Sequence, residues 1–473
     1  MTPAGHRASG SAGGTAALTR FAAVDELSCY YEGPGEPNNV HLEVRVPGRL
    51  DERMLRDAVR AMLAAEPAAR ARRAARRRWH RGYAWEYPPQ PDADPVGSAT
   101  WADETELGLR RESFLASSPP VDSSPPFRLL LAVGPGQDCL ILNAHHAAFD
   151  GMSCLHVLRS IGRHYSGTPD PVSGAPDPAS ARAASGLAPA PGHAAAAVTP
   201  SARALRRAGR EPAAGSSALS LPAARIAAHH EARRPGRNEP GYGYQLLALP
   251  RVPHLPAPGS GPHVTVNDLL ITAMIMTIAG WNAARGRGCR RVRITMPLSG
   301  RPADSERAVV GNLSQLAAVT ARLPVPGGTA SALAAQVALQ TRLAKGRAWP
   351  QADPLSRALL AAWLPAAVKH RLLRAGLRTL GPLVCDTTLI SNLGILADPP
   401  RFGPATPAQM WFSTPAHMPR GLSLGVVTVG GRVQLCFRYR RALFDEPAAA
   451  RFARAYAAAL AAVGSQGNEL VKP

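Results

Sequence analysis

Two hydrophobic periods alternate along the chain. Val40, Leu42, Val44 and Val46 recur at every second position, which predicts a strand ending at Pro47-Gly48. Leu50, Met54, Leu55, Val59, Met62 and Leu63 then follow a 3.6-residue period, with Asp51 placed to cap the helix and Pro67 beyond its end. Residues 127–133 and 139–143 read as strands around a Gly134-Pro135-Gly136 turn. Met152, Leu155, Leu158, Ile161 and Tyr165 return to helical spacing. In the second half, 244–249, 292–296 and 387–390 read as strands, 266–281 and 333–343 as helices, and 422–429 with 433–439 as a hairpin about Gly430-Gly431. Asp445-Glu446-Pro447 opens a last helix with a carboxylate cap and an early proline.

Between the two patterned regions the periodicity collapses. Residues 166–240 are rich in Pro, Ala, Gly and Ser and read as a linker with helical islands such as Ala223 to Ala232. The expected organisation is a disordered tail at 1–18, a first α/β unit at 19–165, the linker at 166–240, a second α/β unit at 241–465 and a tail at 466–473.

Composition narrows the class. The 473 residues have a 45% hydrophobic and 18% charged content, near globular averages, so wholesale disorder is excluded. The net charge is +21, yet only three of the 54 basic residues are Lys. An excess of Arg, Ala, Gly and Pro with Lys nearly absent reads as coding bias, although a basic surface favours acidic partners. The Arg-rich stretch from Arg70 to Arg81 is expected to be solvated surface. It has few interleaved aromatics beyond Trp79 and Tyr83, so no nucleic-acid role is expected. Six Cys form no CxxC pair or zinc spacing, and no metal is expected. The N-terminus lacks a secretory h-region, and the longest apolar run, 269–281, is too short to span a bilayer. The expectation is a cytoplasmic protein without a transmembrane segment, sufficient as a monomer.

One segment carries chemistry: His145-His146-Ala147-Ala148-Phe149-Asp150-Gly151, between a strand and a helix. A neutral imidazole can take a proton from an alcohol, amine or thiol near pH 7. Two adjacent His leaving a strand face opposite ways, so one can meet a substrate while the other packs. Asp150 can fix the loop by holding backbone or pairing with an Arg, and Gly151 leaves room for a substrate and presents an N–H to a developing oxyanion. The plainer alternative makes both His loop residues and Asp150 a helix cap. The other pair, His229-His230, lacks the Asp-Gly and is given no role.

The segment 145–151 resembles the HHxxxDG signature of the condensation-domain and chloramphenicol-acetyltransferase-like acyltransferase superfamily. Thr265-Val266-Asn267-Asp268 looks like a segment of the bacterial wax ester synthase/diacylglycerol acyltransferase branch. Pro297 to Arg301 followed by Gly311-Asn312, and Ser391-Asn392-Leu393-Gly394, look like two further superfamily segments. No DFGWG segment occurs, which sets the plant alcohol acyltransferases aside. No adenylation or carrier domain accompanies the resemblance, so a free-standing protein is expected. The resemblance implies two acetyltransferase-like mixed-sheet subdomains forming a V-shaped pseudo-dimer around a central channel. It implies acyl transfer from acyl-CoA or a phosphopantetheinyl carrier thioester to a hydroxyl or amine, with no bound cofactor. His146 would be the general base, and His145, Asp150 and Gly151 motif residues. Arg301 would be the partner of Asp150, and Asn312, Ser391 and Asn392 would line the channel. A condensation-like enzyme working on carrier-protein-bound substrates, with an acyl-carrier protein as partner, and a non-catalytic binding module are the competing readings.

Overall fold

The computed structural model describes residues 18–75, 80–168, 222–229, 240–250, 263–301, 310–325, 327–346, 364–404, 407 and 409–465. The expected tails, apart from Leu18, and most of 166–240 lie outside the described residues, as do 76–79 of the Arg-rich stretch.

The N-terminal part forms β1 (Leu18–Arg20), α1 (Ala23–Tyr31), β2 (Asn39–Pro47), α2 (Glu52–Ala65), β3 (Arg72–Arg73), β4 (Ala84–Glu86), β5 (Val96–Thr100), α3 (Glu104–Leu115), β6 (Phe127–Val133), β7 (Gln137–His145) and α4 (Gly151–Tyr165). The C-terminal part forms β8 (Tyr242–Leu249), α5 (Val266–Ala283), β9 (Arg291–Ser299), β10 (Ser314–Arg322), α6 (Ala330–Gly346), α7 (Ala366–Thr379), α8 (Gly381–Val384), β11 (Thr388–Leu396), β12 (Gln409–Ser413), β13 (Leu422–Val429), β14 (Arg432–Arg440) and α9 (Glu446–Ser465).

Two mixed sheets dominate. One has the order β12-β2-β7-β6-β5, the other β10-β9-β11-β13-β14-β8, and a small third sheet runs β1-β4-β3. β7 is buried along nearly its whole length because both faces are covered. Leu140, Leu142 and Ala144 face the core shared with α2 and α4, whereas Cys139 and Ile141 join a smaller cluster under α3. The apolar side of the six-stranded sheet packs against α5, α6 and α9. α5 is apolar around most of its surface because α6 and α9 pack on it.

One strand crosses the expected division of the chain. β12 comes from residues 409–413, yet it pairs antiparallel with β2, Met410 opposite Val44 and Ser413 opposite His41. His41 Nδ1 lies 3.1 Å from Ser413 Oγ, and the Arg45 guanidinium stacks over Trp411. β13 approaches this strand so closely that a Cβ on Gly425 would lie 1.8 Å from the Phe412 carbonyl oxygen. That contact, rather than a turn, explains the glycine.

Three expectations change. Ala223 to His229 is not helical: it lies in irregular backbone across the second part. Its polar groups are taken by that surface, with Ala227 N donating to Asn282 Oδ1 and Arg225 to the Asp386 carbonyl. The strand expected at 387–390 runs on to Leu396 through a register shift, so Ser391 and Asn392 lie within β11. The described Arg of the 70–81 stretch include partly buried, paired side chains: Arg72 binds Glu86 and Asp92, and Arg73 binds Asp122.

Candidate functional site

β7 ends at His145, whose backbone pairs with Asn39 of β2. The chain then turns through five residues into α4. Asp150 caps that helix, its Oδ1 accepting from Ser153 N at 2.9 Å.

The two imidazoles differ in environment. The His145 side chain is fully buried. Its Nδ1 accepts from the Ala147 N–H at 3.0 Å, so the proton sits on Nε2, which donates to Glu32 Oε2 at 3.0 Å. His145 therefore ties the loop to the segment that follows α1. Burial opposes the charge on Glu32 and is the largest single influence, but His145, Ser118 and Arg73 together outweigh it and hold the carboxyl below its ordinary range.

His146 is only half-buried. Its backbone N–H donates to the Asn38 carbonyl at 2.9 Å. Its Nδ1 is 3.0 Å from the Phe149 carbonyl oxygen, which can only accept, so Nδ1 carries the proton and Nε2 the lone pair. Burial pushes the His146 pKa below its ordinary value, against the opposing pull of the Phe149 carbonyl and Asp150. The ring is thus a neutral base at physiological pH, with its tautomer fixed.

Asp150 does more than cap. Arg301 grips it with two parallel bonds of 2.7 Å, Nη1 to Oδ2 and Nη2 to Oδ1. The Leu313 N–H adds a bond to Oδ2 at 3.0 Å. Burial would raise this carboxyl, but Arg301 and these donors hold it below the ordinary aspartate value. Arg301 Nη2 also reaches Ser153 Oγ at 2.8 Å, and Ser153 Oγ bonds the Gly311 backbone. The Arg is brought here by β9 and β10: Ser299 pairs with Ser314, and Gly300 N donates to Leu313 O, so residues 301 and 311–313 meet beside α4.

Gly151 also has a packing reason. A Cβ there would lie 2.8 Å from Leu393 Cδ2 and from the Phe412 ring, so packing between the two parts itself requires the glycine. Asn312 is buried and donates to Ser28 Oγ at 3.2 Å, another bond between the parts. Ser391 is buried, and Asn392 Oδ1 accepts from Gly394 N at 2.9 Å, shaping the irregular stretch of β11. Thr265 and Asp268 form a reciprocal cap on α5, and Asp268 also accepts from Thr341 Oγ1, which gives that segment a structural role.

Sequence reasoning missed Glu32, Asn38 and His417. Asn38 accepts the His146 N–H on its carbonyl, donates from Nδ2 to Ser28 O at 2.6 Å, and accepts on Oδ1 from His417 Nε2 at 3.0 Å. None of the three sits in a motif, and His417 is hundreds of positions from the loop it joins. Among the described residues, no group of three His, Cys, Asp or Glu side chains could hold a metal ion, and no helix is long and apolar enough to cross a membrane.

No family model matches the chain. An uncharacterized protein of Mycobacterium tuberculosis, found in two strains, is 29% identical over 453 residues, covering 92% of this chain and 97% of the relative. The first condensation domain of the calcium-dependent antibiotic synthetase, in complex with a substrate analogue, superposes with a TM-score of 0.64 at 14% identity, over 95% of this chain and 96% of that one. The condensation domain of the Monacolin K polyketide synthase gives 0.62 at 14% identity, over 95% and 98%. A variant of the starter condensation domain of rhizomide synthetase, solved with C8-CoA and Leu-SNAC, gives 0.61 at 13% identity, over 95% and 94%. Against a nonribosomal peptide synthetase chain the TM-score is 0.62 at 15% identity, and this chain spans 43% of its length. The fold is the condensation-domain fold, as the HHxxxDG resemblance implied.

Proposed function

We propose that this protein is an acyltransferase that moves an acyl group from a thioester to a hydroxyl or amine acceptor, with His146 as general base. The observation that carries the reading is the hydrogen bond from His146 Nδ1–H to the Phe149 carbonyl, which leaves a lone pair on Nε2 of a ring kept neutral by burial. The condensation-domain fold supports it, as does the C8-CoA bound by one neighbour of that fold.

In this reaction His146 Nε2 takes the proton of the acceptor O–H or N–H as its O or N attacks the thioester carbonyl. The new C–O or C–N bond forms, the carbonyl becomes an oxyanion, and the C–S bond then breaks. The proton passes from His146 to the departing thiolate, so the base is regenerated. A positioned base of this kind contributes about 10²–10⁴-fold. Asp150 and Arg301 hold the loop that presents His146 rather than touching the reacting atoms. The first turn of α4, starting at Gly151, offers backbone N–H groups for the oxyanion. The site would lie in a channel between the two parts, with donor and acceptor entering from opposite faces.

The test compares wild type with His146→Ala at equal folded level. Metabolites from cells producing each protein are compared by mass spectrometry, and purified protein is assayed for thiol release from acyl-CoA and from acyl-carrier protein. An acylated product missing with the variant, and thiol release falling by about two orders of magnitude or more, is expected. Equal product from both proteins overturns His146 as the base. Transfer from a carrier thioester alone would favour the carrier-bound version of the same reaction.

A further inference from the structure

One short segment holds both histidines of the motif loop. Residues 32–38 join α1 to β2 and are folded back on themselves by paired bonds between Gly33 and Glu36. At one end the Glu32 carboxylate accepts from His145 Nε2 at 3.0 Å. At the other the Asn38 carbonyl accepts the His146 N–H at 2.9 Å.

The C-terminal part grips the same segment. Arg374 of α7 donates to the Glu32 carbonyl at 2.7 Å, and the Met418 N–H donates to Glu36 Oε1 at 3.1 Å. Arg438 of β14 donates to the carbonyl of the next residue, Asn39, at 3.0 Å. His417 lies in the loop between β12 and β13, with the Tyr31 ring stacked on it at 5.9 Å. Its Nε2 is 3.0 Å from Asn38 Oδ1. The two sets of contacts meet at Asn38, which is only 3% exposed. Its Nδ2 donates to the Ser28 carbonyl at 2.6 Å, so Oδ1 is the atom that accepts from His417. The side chain is thus tied to α1 on one side and to the C-terminal part on the other. With it locked, the Asn38 carbonyl has one place to be.

We propose that Asn38 is a positioning residue: its side chain, bound to α1 and to His417, fixes the backbone carbonyl that holds His146, so that docking of the C-terminal part sets the place of the base. This deepens the acyl-transfer reading and rests on it. The Phe149 carbonyl decides which His146 nitrogen carries the proton. Asn38 decides where the residue sits. A reacting group misplaced by about 1 Å loses about 10²-fold in rate, and a supporting bond to its backbone governs displacements of that size. The titratable groups that bear on the His146 ring are Asp150 and His145 on its own loop and His417 from the C-terminal part. Replacing Asn38 with Leu adds and removes no charge. A changed His146 titration in that variant therefore reports a change in the burial of the ring.

The experiment compares wild type, Asn38→Leu, His417→Phe and a control, Tyr456→Phe, which loses a buried bond to the Leu270 carbonyl in the core of the C-terminal part. His417→Phe keeps a ring against Tyr31 and removes only the proton that Asn38 Oδ1 accepts, so it tests the same link if Asn38→Leu does not fold. Thermal unfolding and circular dichroism check each protein. Two readouts are taken: the titration of His146 in ¹⁵N-histidine-labelled protein, and kcat and KM for thiol release from octanoyl-CoA with hexanol or hexylamine as acceptor. In the wild type, His146 should titrate below the ordinary value of about 6.5. In Asn38→Leu the titration should move up towards that value, and kcat should fall roughly ten- to hundredfold with KM little changed. His417→Phe should move both in the same direction by less. Tyr456→Phe should lose stability and leave both where they are. An unmoved titration and kcat in folded Asn38→Leu or folded His417→Phe overturns the proposal while leaving acyl transfer intact, and so does an equal shift in Tyr456→Phe. Absence of transfer by the wild type from any thioester, those on carrier protein included, overturns the acyl-transfer reading and the catalytic half of this proposal. A moved titration would then still uphold the positioning of His146 by Asn38.

Discussion

Replacing Arg301 with Ala isolates the energetics of the buried clamp on the His146 loop. Both charged side chains are almost wholly removed from solvent, 2% exposed for Arg301 and 1% for Asp150. The substitution deletes the two 2.7 Å bonds to Asp150 and those to Ser153 Oγ and Gly311 O. It leaves the carboxylate with the N–H groups of Ser153 and Leu313. Unit charges about 4 Å apart at an effective dielectric near 20 attract by about 4 kcal/mol. Removing one partner of a buried pair costs about 3–5 kcal/mol, because the other charge stays buried. We therefore expect Arg301→Ala to lose about 3–5 kcal/mol in urea unfolding at pH 7. The double variant Asp150→Leu, Arg301→Met should be less destabilised than Arg301→Ala, since neither charge remains to be solvated. The sign with pH follows from the depressed Asp150 pKa. Its contribution is full above the unfolded value near about 4 and is lost as pH falls through the lower folded value. The gap between wild type and Arg301→Ala should therefore narrow in acid. A loss under about 1 kcal/mol at pH 7, or a double variant worse than Arg301→Ala, would refute the clamp.

Because burial depresses the His146 pKa, the base stays neutral further into acid than an ordinary histidine. The acid limb of the kcat/KM profile should have its inflection below the ordinary histidine value of about 6.5, and an inflection above that value would contradict this. Glu32→Leu leaves the His145 Nε2–H buried without an acceptor and should cost about 1–3 kcal/mol, whereas Glu32→Gln should recover much of it, both read by thermal unfolding. Gly151→Ala drives a methyl into the tips of Leu393 and Phe412 and should cost about 1–3 kcal/mol, partly restored by adding Leu393→Ala. Gly425→Ala meets backbone instead, the Phe412 carbonyl oxygen, and should be more damaging than Gly151→Ala in expression and unfolding assays.

The legible parts of this protein are those written in neighbouring residues. The alternation at 40–46, the hairpin about Gly430-Gly431 and the apolar run of α5 each follow from a local period, and each is an element of the structure. The strand-loop-helix setting of His145 to Gly151 was readable for the same reason. Edge and irregular elements were not. β12 is a five-residue segment that becomes a strand because β2 offers it an unpaired edge, which is a tertiary fact. Ala223 to His229 has helix-favouring composition, but bonds to Asn282 and Asp386 hold it in another conformation. In the site, Asp150 and Arg301 could be named because they lie in motif-like segments. Glu32, Asn38 and His417 meet only through folding, and isolated His, Asn or Glu residues carry no spacing signal.

The crossing of β12 also bears on how the molecule comes into being. A chain emerging from the ribosome has made β2, β7, β6 and β5 long before residues 409–413 exist. Until then β2 presents a row of unpaired backbone donors and acceptors, an invitation to pair with other chains. The first sheet is completed only when nearly the whole protein has been synthesised, so its assembly is effectively post-translational. A gene fragment ending in the linker would encode a sheet with an open seam, prone to aggregation, and the missing strand should act in trans as an added peptide that restores solubility. The two halves of the sequence thus share a sheet and a core, and they are inseparable as pieces of sequence.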